Sequence, residues 1–152
     1  MGTLGVLLVA SMLSACASRS VDSGLDAEAK LFRAPTDKAC IYIVPSSNTA
    51  KVSVAADERK IATLGNENYL RLEVAPGRHV LSVARTSVVP IVLREATNDV
   101  TVEAEAGRCY FLRTAWTDAG ESWREYRVYW EPLSEEEGRR AVNVRWLMLP
   151  AK

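Results

Sequence analysis

Hydrophobic and polar positions divide the 152-residue chain into three unlike stretches. The first is apolar: residues 6–13 read V-L-L-V-A-S-M-L, and no charged side chain precedes Arg19. A bilayer core takes about twenty apolar residues to cross and this run holds roughly ten, so it reads as a targeting segment and not a span. The second stretch, from Ala17 to Leu31, is small, polar and charged without strand alternation. It reads as a flexible tether carrying at most a helical turn over 26–32. The third, from Ala39 onward, has a period of two. Leu70, Leu72 and Val74 alternate with Tyr69, Arg71 and Glu73; Val100, Val102, Ala104 and Ala106 alternate with Thr101, Glu103 and Glu105; Val52 and Val54 alternate with Lys51 and Ser53. Alternation of this kind belongs to strands with one face in a core and the other in water.

Further strands are predicted over 39–44, 60–64, 80–85, 91–95, 108–116 and 124–131. The breaks between them carry turn chemistry. A-P-G-R, residues 75–78, suits a type II turn, with Pro76 fixing one φ and Gly77 supplying the positive φ that follows. A-D-E-R and E-A-G-R mark other reversals. One helix signal interrupts at E-E-E-G-R-R, where Ser134 and Glu137 have the spacing of a capping box and Arg139 and Arg140 close the last turn. With Gly138 inside, it is expected to hold two turns at most. Residues 143–149, N-V-R-W-L-M-L, then read as a final strand. Many short strands at this spacing predict an all-β fold, an antiparallel β-sandwich with one short C-terminal helix.

Where the apolar run ends, Leu13-Ser14-Ala15-Cys16 resembles the lipobox of bacterial lipoproteins: an aliphatic residue, two small ones and the cysteine. The resemblance implies signal-peptidase recognition at Leu13, Ser14 and Ala15. The Cys16 thiol would take diacylglycerol, and after cleavage its amine would take a further acyl chain. One acyl chain holds a protein to a membrane only marginally, whereas two or more hold it stably. The segment M-G-T-L-G departs from the usual pattern in lacking Lys and Arg, so either the signal is weak or the start lies upstream. By resemblance to enterobacterial lipoproteins, Ala17 in place of Asp after the cysteine directs the protein to the outer membrane. The expected organisation is residues 1–15 signal peptide, 16–36 lipidated N-terminus and tether, and 37–152 sandwich domain.

Charge narrows the partners. Lys plus Arg and Asp plus Glu number 19 each, so no basic excess attracts a phosphate backbone, and nucleic acid is not an expected partner. His79 is the only histidine and follows the PG turn, where packing or bonding beside the turn is the favoured role. Every Ser-His-Asp set would have to use it. Cys40 and Cys109 are isolated, with no C-x-x-C, and the eight glycines are scattered, so neither a metal cluster nor a phosphate loop is read. Glu103 with Glu105, and Glu135 to Glu137, read as solvated faces. No catalytic residues are assigned, and no enzyme is expected.

Two leads remain. With Cys16 lipidated, Cys40 and Cys109 are an even pair in an oxidising compartment, and each shares a strand face with aromatic neighbours. The favoured reading is a disulfide, worth roughly 4 kcal/mol for a loop of about seventy residues in the chain-entropy model. The alternative is two separate buried thiols. The aromatics of W-R-E-Y-R-V-Y-W, residues 123–130, are read mainly as core, with Trp130, Tyr126 and Val128 on one face. Trp116 and Trp123 flank T-D-A-G-E-S and are the candidate binding surface.

The strings K-A-C-I-Y-I-V, A-D-E-R-K-I-A-T-L, N-Y-L-R-L-E-V-A-P-G-R-H-V-L and A-G-R-C-Y-F-L resemble a family of bacterial envelope lipoproteins built on a domain of unknown function. They share the PG-x-H hairpin with PEGA-type surface domains. The resemblance covers roughly residues 29–149 and implies an Ig-like or PEGA-like β-sandwich. The motifs are turns and core positions and specify fold better than activity. Val44-Pro45 departs from the Arg that often follows the family's first strand, so any ligand role of that Arg is absent. Two functions are then expected. The first is a non-catalytic lipoprotein of the cell envelope, lipid-anchored to the membrane and facing the periplasm, serving as a protein-interaction or surface-structural module. The second is a small-ligand or glycan-binding module. Neither needs a cofactor beyond the covalent lipid on Cys16.

Overall fold

The computed structural model describes residues 23–46, 51–86, 98–118 and 126–150. In chain order the elements are α1 (Ser23–Ala29), β1 (Ala39–Pro45), β2 (Val52–Ala56), β3 (Arg59–Leu64), β4 (Asn68–Val74), β5 (Gly77–Arg85), β6 (Asn98–Ala104), β7 (Cys109–Asp118), β8 (Tyr126–Pro132), α2 (Glu135–Asn143) and β9 (Trp146–Met148). The strands form an all-β sandwich. One sheet has the order β8-β7-β1-β4-β9 and the other β3-β2-β5-β6. The strand expected over 91–95 lies outside the described residues.

The period-two pattern decides which side chains meet between the sheets. Ile41, Ile43, Leu70, Leu72, Leu112 and Val128 from the first sheet pack against Val52, Val54, Leu64, Leu81, Val83 and Val102 from the second. Each such side chain contributes about 1.5–3 kcal/mol of transfer free energy, which makes this layer the main source of stability. The opposite residues of β6, Thr101 and Glu103, are exposed, as the alternation requires.

β1 breaks the half-buried rule. All seven of its residues are buried, because A-C-I-Y-I-V-P is apolar on both faces and both faces are covered. The sheet around it is mixed and not antiparallel throughout: β1 runs antiparallel to β4 but parallel to β7, and β4 runs parallel to β9. Parallel neighbours cannot be joined by a tight hairpin and need a crossover. Here the chain leaves β1 for β2 and β3 of the second sheet, returns as β4, crosses again as β5 and β6 and comes back as β7, and α2 precedes β9.

The outer face of the five-stranded sheet carries a second core. Cys40, Tyr42, Val44, Tyr69, Phe111 and Leu147 are buried there under Ala29 of α1 and Val142 of α2. Tyr42 stacks on Phe111 with ring centroids 5.0 Å apart, and Phe32 tilts against both rings. The expected flexible tether over 16–36 therefore does not hold from Ser23 onward, where the chain is folded onto the sheet. The last strand is also shorter than expected, because the helix continues to Asn143 and only Trp146–Met148 pairs with β4.

α2 starts where its capping signal places it. The Glu137 N–H donates to the Ser134 hydroxyl, and the Ser134 N–H donates to the Glu137 carboxylate. Its nine residues exceed the two turns expected, because Gly138 does not end the helix but lets it approach β7. Gly138 is buried, and a Cβ there would fall inside the Phe111 side chain. Helix propensity alone favours Ala over Gly by about 1 kcal/mol. Overpacking a filled site costs about 1–3 kcal/mol, and the clash is with a ring held between Tyr42 and Phe32. Gly138→Ala should therefore lower stability by roughly 1 kcal/mol in urea denaturation. A more stable variant would mean that α2 is not seated on Phe111.

Candidate functional site

The β1–β7 pairing sets Cys40 directly opposite Cys109, with Cα atoms 4.5 Å apart, and the two are joined as a disulfide across a sequence separation of 69. Two separate thiols, the alternative reading, do not occur in this geometry. The bridge closes a long loop and staples the two central strands of the sheet, worth roughly 4 kcal/mol on the chain-entropy account. It lies on the outer face with Tyr42 and Phe111, as strand parity indicates.

His79 sits at a junction of two turns. Its Nδ1 lies 2.7 Å from Oδ2 of Asp57 and its Nε2 lies 2.8 Å from the Ala75 carbonyl oxygen. A carbonyl oxygen and an ionised carboxylate both only accept, so this geometry favours the protonated ring, which donates from both nitrogens. The Asp57 hydrogen bond raises the His79 pKa against a smaller opposing effect of burial, and the Ala75 bond and Asp57 charge add to the rise. Asp57 is correspondingly lowered, first by His79 and then by the Val80 N–H, which donates to Oδ1 at 2.9 Å. Asp57 and Glu58 take φ of 49° and 67°, the left-handed pair that a tight hairpin between β2 and β3 demands. The only histidine therefore ties one hairpin turn to the PG turn, where Gly77 has φ 132°.

Asp26 was not legible as a functional position, yet it organises one edge of the domain. It is 5% exposed, and its carboxylate accepts from Lys30 Nζ at 2.8 Å, from the Tyr69 hydroxyl at 3.0 Å and from the Leu147 N–H at 2.9 Å. Burial pushes its pKa upward, but these three donors and the Lys30 charge outweigh that and hold it below the ordinary carboxylate value. Tyr69 is pushed up by burial and by the neighbouring Asp26 charge. Lys30 also donates to the Arg145 carbonyl at 2.7 Å, and the Tyr42 hydroxyl donates to the Ala29 carbonyl at 2.6 Å. α1 is thus fastened to β1, β4 and β9 at once. The only sequence signal was the Asp26–Lys30 spacing of four, which is common on any helix.

An open groove of about 260 Å³ lies beside this latch, with Leu25, Ala29, Leu147 and Leu149 on its apolar side and Arg71 and Glu73 on its polar side. Arg71 is engaged there with Glu73, the Tyr42 hydroxyl and the Arg33 carbonyl. Small-molecule sites usually enclose about 300–1,000 Å³, so a groove this small and open suits a surface contact better than an enclosed ligand.

The aromatic lead changes character. Trp116 is half-buried and packs against the core between the sheets, as does Trp130, whose Nε1 donates to the Asn98 carbonyl at 2.9 Å. Tyr129 faces outward on β8. Trp123, like Leu13, Ser14, Ala15 and Cys16, lies outside the described residues. The Thr114 and Thr86 hydroxyls are buried with no hydrogen-bond partner. Glu103, Glu105 and Glu135 to Glu137 are exposed, and no group of three or more His, Cys, Asp or Glu among the described residues is placed to hold a metal ion. No described helix is long and apolar enough to cross a membrane.

No protein-family model matches the chain. No curated protein matches it either.

The His79 geometry gives a pH prediction with a definite sign. Its folded-state pKa is raised above the ordinary 6.5, so its contribution is full below that value and is lost as pH rises through the higher folded value. Asp57 is more than a third exposed, so solvent screening limits the pair to about 1 kcal/mol. His79→Gln should cost about 1 kcal/mol at about pH 5.5 and close to nothing at about pH 9, read by urea denaturation at both values. An equal loss at the two pH values would show that the charge is not what the turn uses.

Proposed function

We propose that the protein is a non-catalytic lipoprotein of the bacterial envelope, fastened through Cys16 and presenting a small β-sandwich from the membrane surface. The observation that carries this reading is how the three cysteines divide. One ends the apolar run in L-S-A-C, and the other two are joined across β1 and β7. A structural disulfide fits an oxidising compartment beyond the cytoplasmic membrane, which is where a lipobox sends a chain. The resemblance to envelope lipoproteins with a PG-x-H hairpin agrees with it.

The groups that could have served chemistry support a binding or structural role. His79 locks two turns, Asp26 fastens α1, and Arg71 is held by Glu73, Tyr42 and Arg33. Each is occupied in holding the fold. The glycan-binding alternative rested on Trp116 and Trp123, and with Trp116 packed against the core it retains only Trp123.

Metabolic labelling with an alkyne fatty acid tests the anchor. The wild-type protein should carry the label and sediment with membranes, and Cys16→Ser should lose the label. Absence of label from the wild-type protein would remove the lipoprotein reading.

A further inference from the structure

Among the described residues six large hydrophobic side chains are well exposed: Leu25, Leu31, Tyr129, Val144, Trp146 and Leu149. Single exposed apolar residues are ordinary on any protein surface. Five of these six, however, come from two segments that touch. Leu25 and Leu31 belong to α1 and the turn after it, and Val144, Trp146 and Leu149 flank or belong to β9. Leu25 and Leu149 line the same groove. Lys30 Nζ lies 5.4 Å from the centre of the Trp146 ring and donates to the carbonyl of Arg145, which sits between Val144 and Trp146. Tyr129 stands alone on β8, at the opposite edge of the sheet.

This apolar edge is also where the chain enters the domain. From Cys16 to Ser23 is seven residue steps, which span at most about 24 Å even fully extended. A domain of this length is roughly 35 Å across. The connection is therefore too short to let the opposite edge reach a membrane that holds Cys16, and long enough for the α1–β9 edge to touch it. We propose that this edge, led by Trp146 and Leu25, rests in the interface of the membrane that carries the lipid anchor. The inference rests on the lipoprotein reading above.

The chemistry fits a lipid surface. Tryptophan is enriched at the bilayer interface, where its ring is buried among acyl chains and headgroups and its N–H stays wet. The Lys30 ammonium beside it is already paired with Asp26 and the Arg145 carbonyl, so it adds no uncompensated charge to the edge. The edge is mixed in charge, with Lys30, Arg71 and Arg145 set against Asp26, Glu28 and Glu73, so attraction to anionic lipid is not the driving force. Nor does the contact have to be strong. An anchor within a few nanometres gives the lipid a high effective concentration at this edge, and a few apolar side chains suffice to fix orientation. The Asp26 latch supplies the rigidity: with α1 bonded to Tyr69 and Leu147, Leu25 is held beside β9 and Trp146.

The test uses the lipidated full-length protein, purified from membranes and reconstituted into phosphatidylethanolamine–phosphatidylglycerol vesicles with and without brominated acyl chains. An intact mass first establishes the lipid on Cys16. Bromine should quench part of the wild-type tryptophan emission, and Trp146→Phe should lose most of that quenching while its thermal transition stays close to wild type. Trp146 is 57% exposed, so phenylalanine leaves the fold in place. Quenching that is absent in the wild-type protein, or undiminished in Trp146→Phe, overturns the proposal with the anchor intact. Loss of quenching accompanied by a concentration-dependent dimer would assign the edge to a second copy and overturn it equally. A mass without acyl chains removes the lipoprotein reading, and the membrane-facing edge falls with it.

Discussion

β1 must be buried on both faces. Its sequence offers apolar side chains in both directions, Ile41 and Ile43 one way and Cys40, Tyr42 and Val44 the other. A two-sheet sandwich normally buries only the inner face of each sheet. The outer face of this strand can be kept from water only by a further layer, and the chain provides it from both sides: α1 and the segment after it precede β1, and α2 follows β8. Burying Tyr42 and Tyr69 there leaves hydroxyls that need partners, and Ala29 and Asp26 supply them. An unpartnered buried hydroxyl would cost about 1–3 kcal/mol, so these bonds decide where α1 sits.

That constraint connects architecture to the proposed role. A lipoprotein whose domain begins after a long free tether samples many orientations. In this fold, the described chain is already helical at Ser23 and is bonded to the sheet through Asp26. On the proposed reading, the anchor and the exposed apolar edge lie on the same side of the domain, because α1, which covers the outer face of β1, is bonded to β9 through Asp26. The disulfide reinforces the same strand, joining β1 to β7 on the outer face beside Phe32.

The strands were legible because alternation is a local signal. Val52 with Val54, and Leu70 with Leu72, announce a face whatever their partners are. The capping box at Ser134 and the PG turn at Gly77 are local in the same sense. The parallel pairings of β1 with β7 and β4 with β9 depend on crossovers between distant segments, and nothing in the alternation of either strand encodes a direction. Gly138 counted only against the length of the helix, because the reason for it, the Phe111 ring, lies on another element. Asp26 in a polar tract looked solvated because its partners are 43 and 121 residues away. Trp116 looked like a loop residue at the edge of T-D-A-G-E-S, but its parity on β7, shared with Leu112, directs it into the core.

Residues 23–36 are part of the domain, bonded to the sheet through Asp26 and Tyr42. Native-state hydrogen exchange measures this most directly, since the amides of Lys30, Leu31 and Phe32 donate to Asp26, Glu28 and Ala29. These amides should exchange slowly, in step with neighbouring amides of β9 and with an opening free energy approaching that of β1. Exchange of residues 23–36 at the unprotected rate, beside a fully protected β1, would contradict it and return the segment to a free tether.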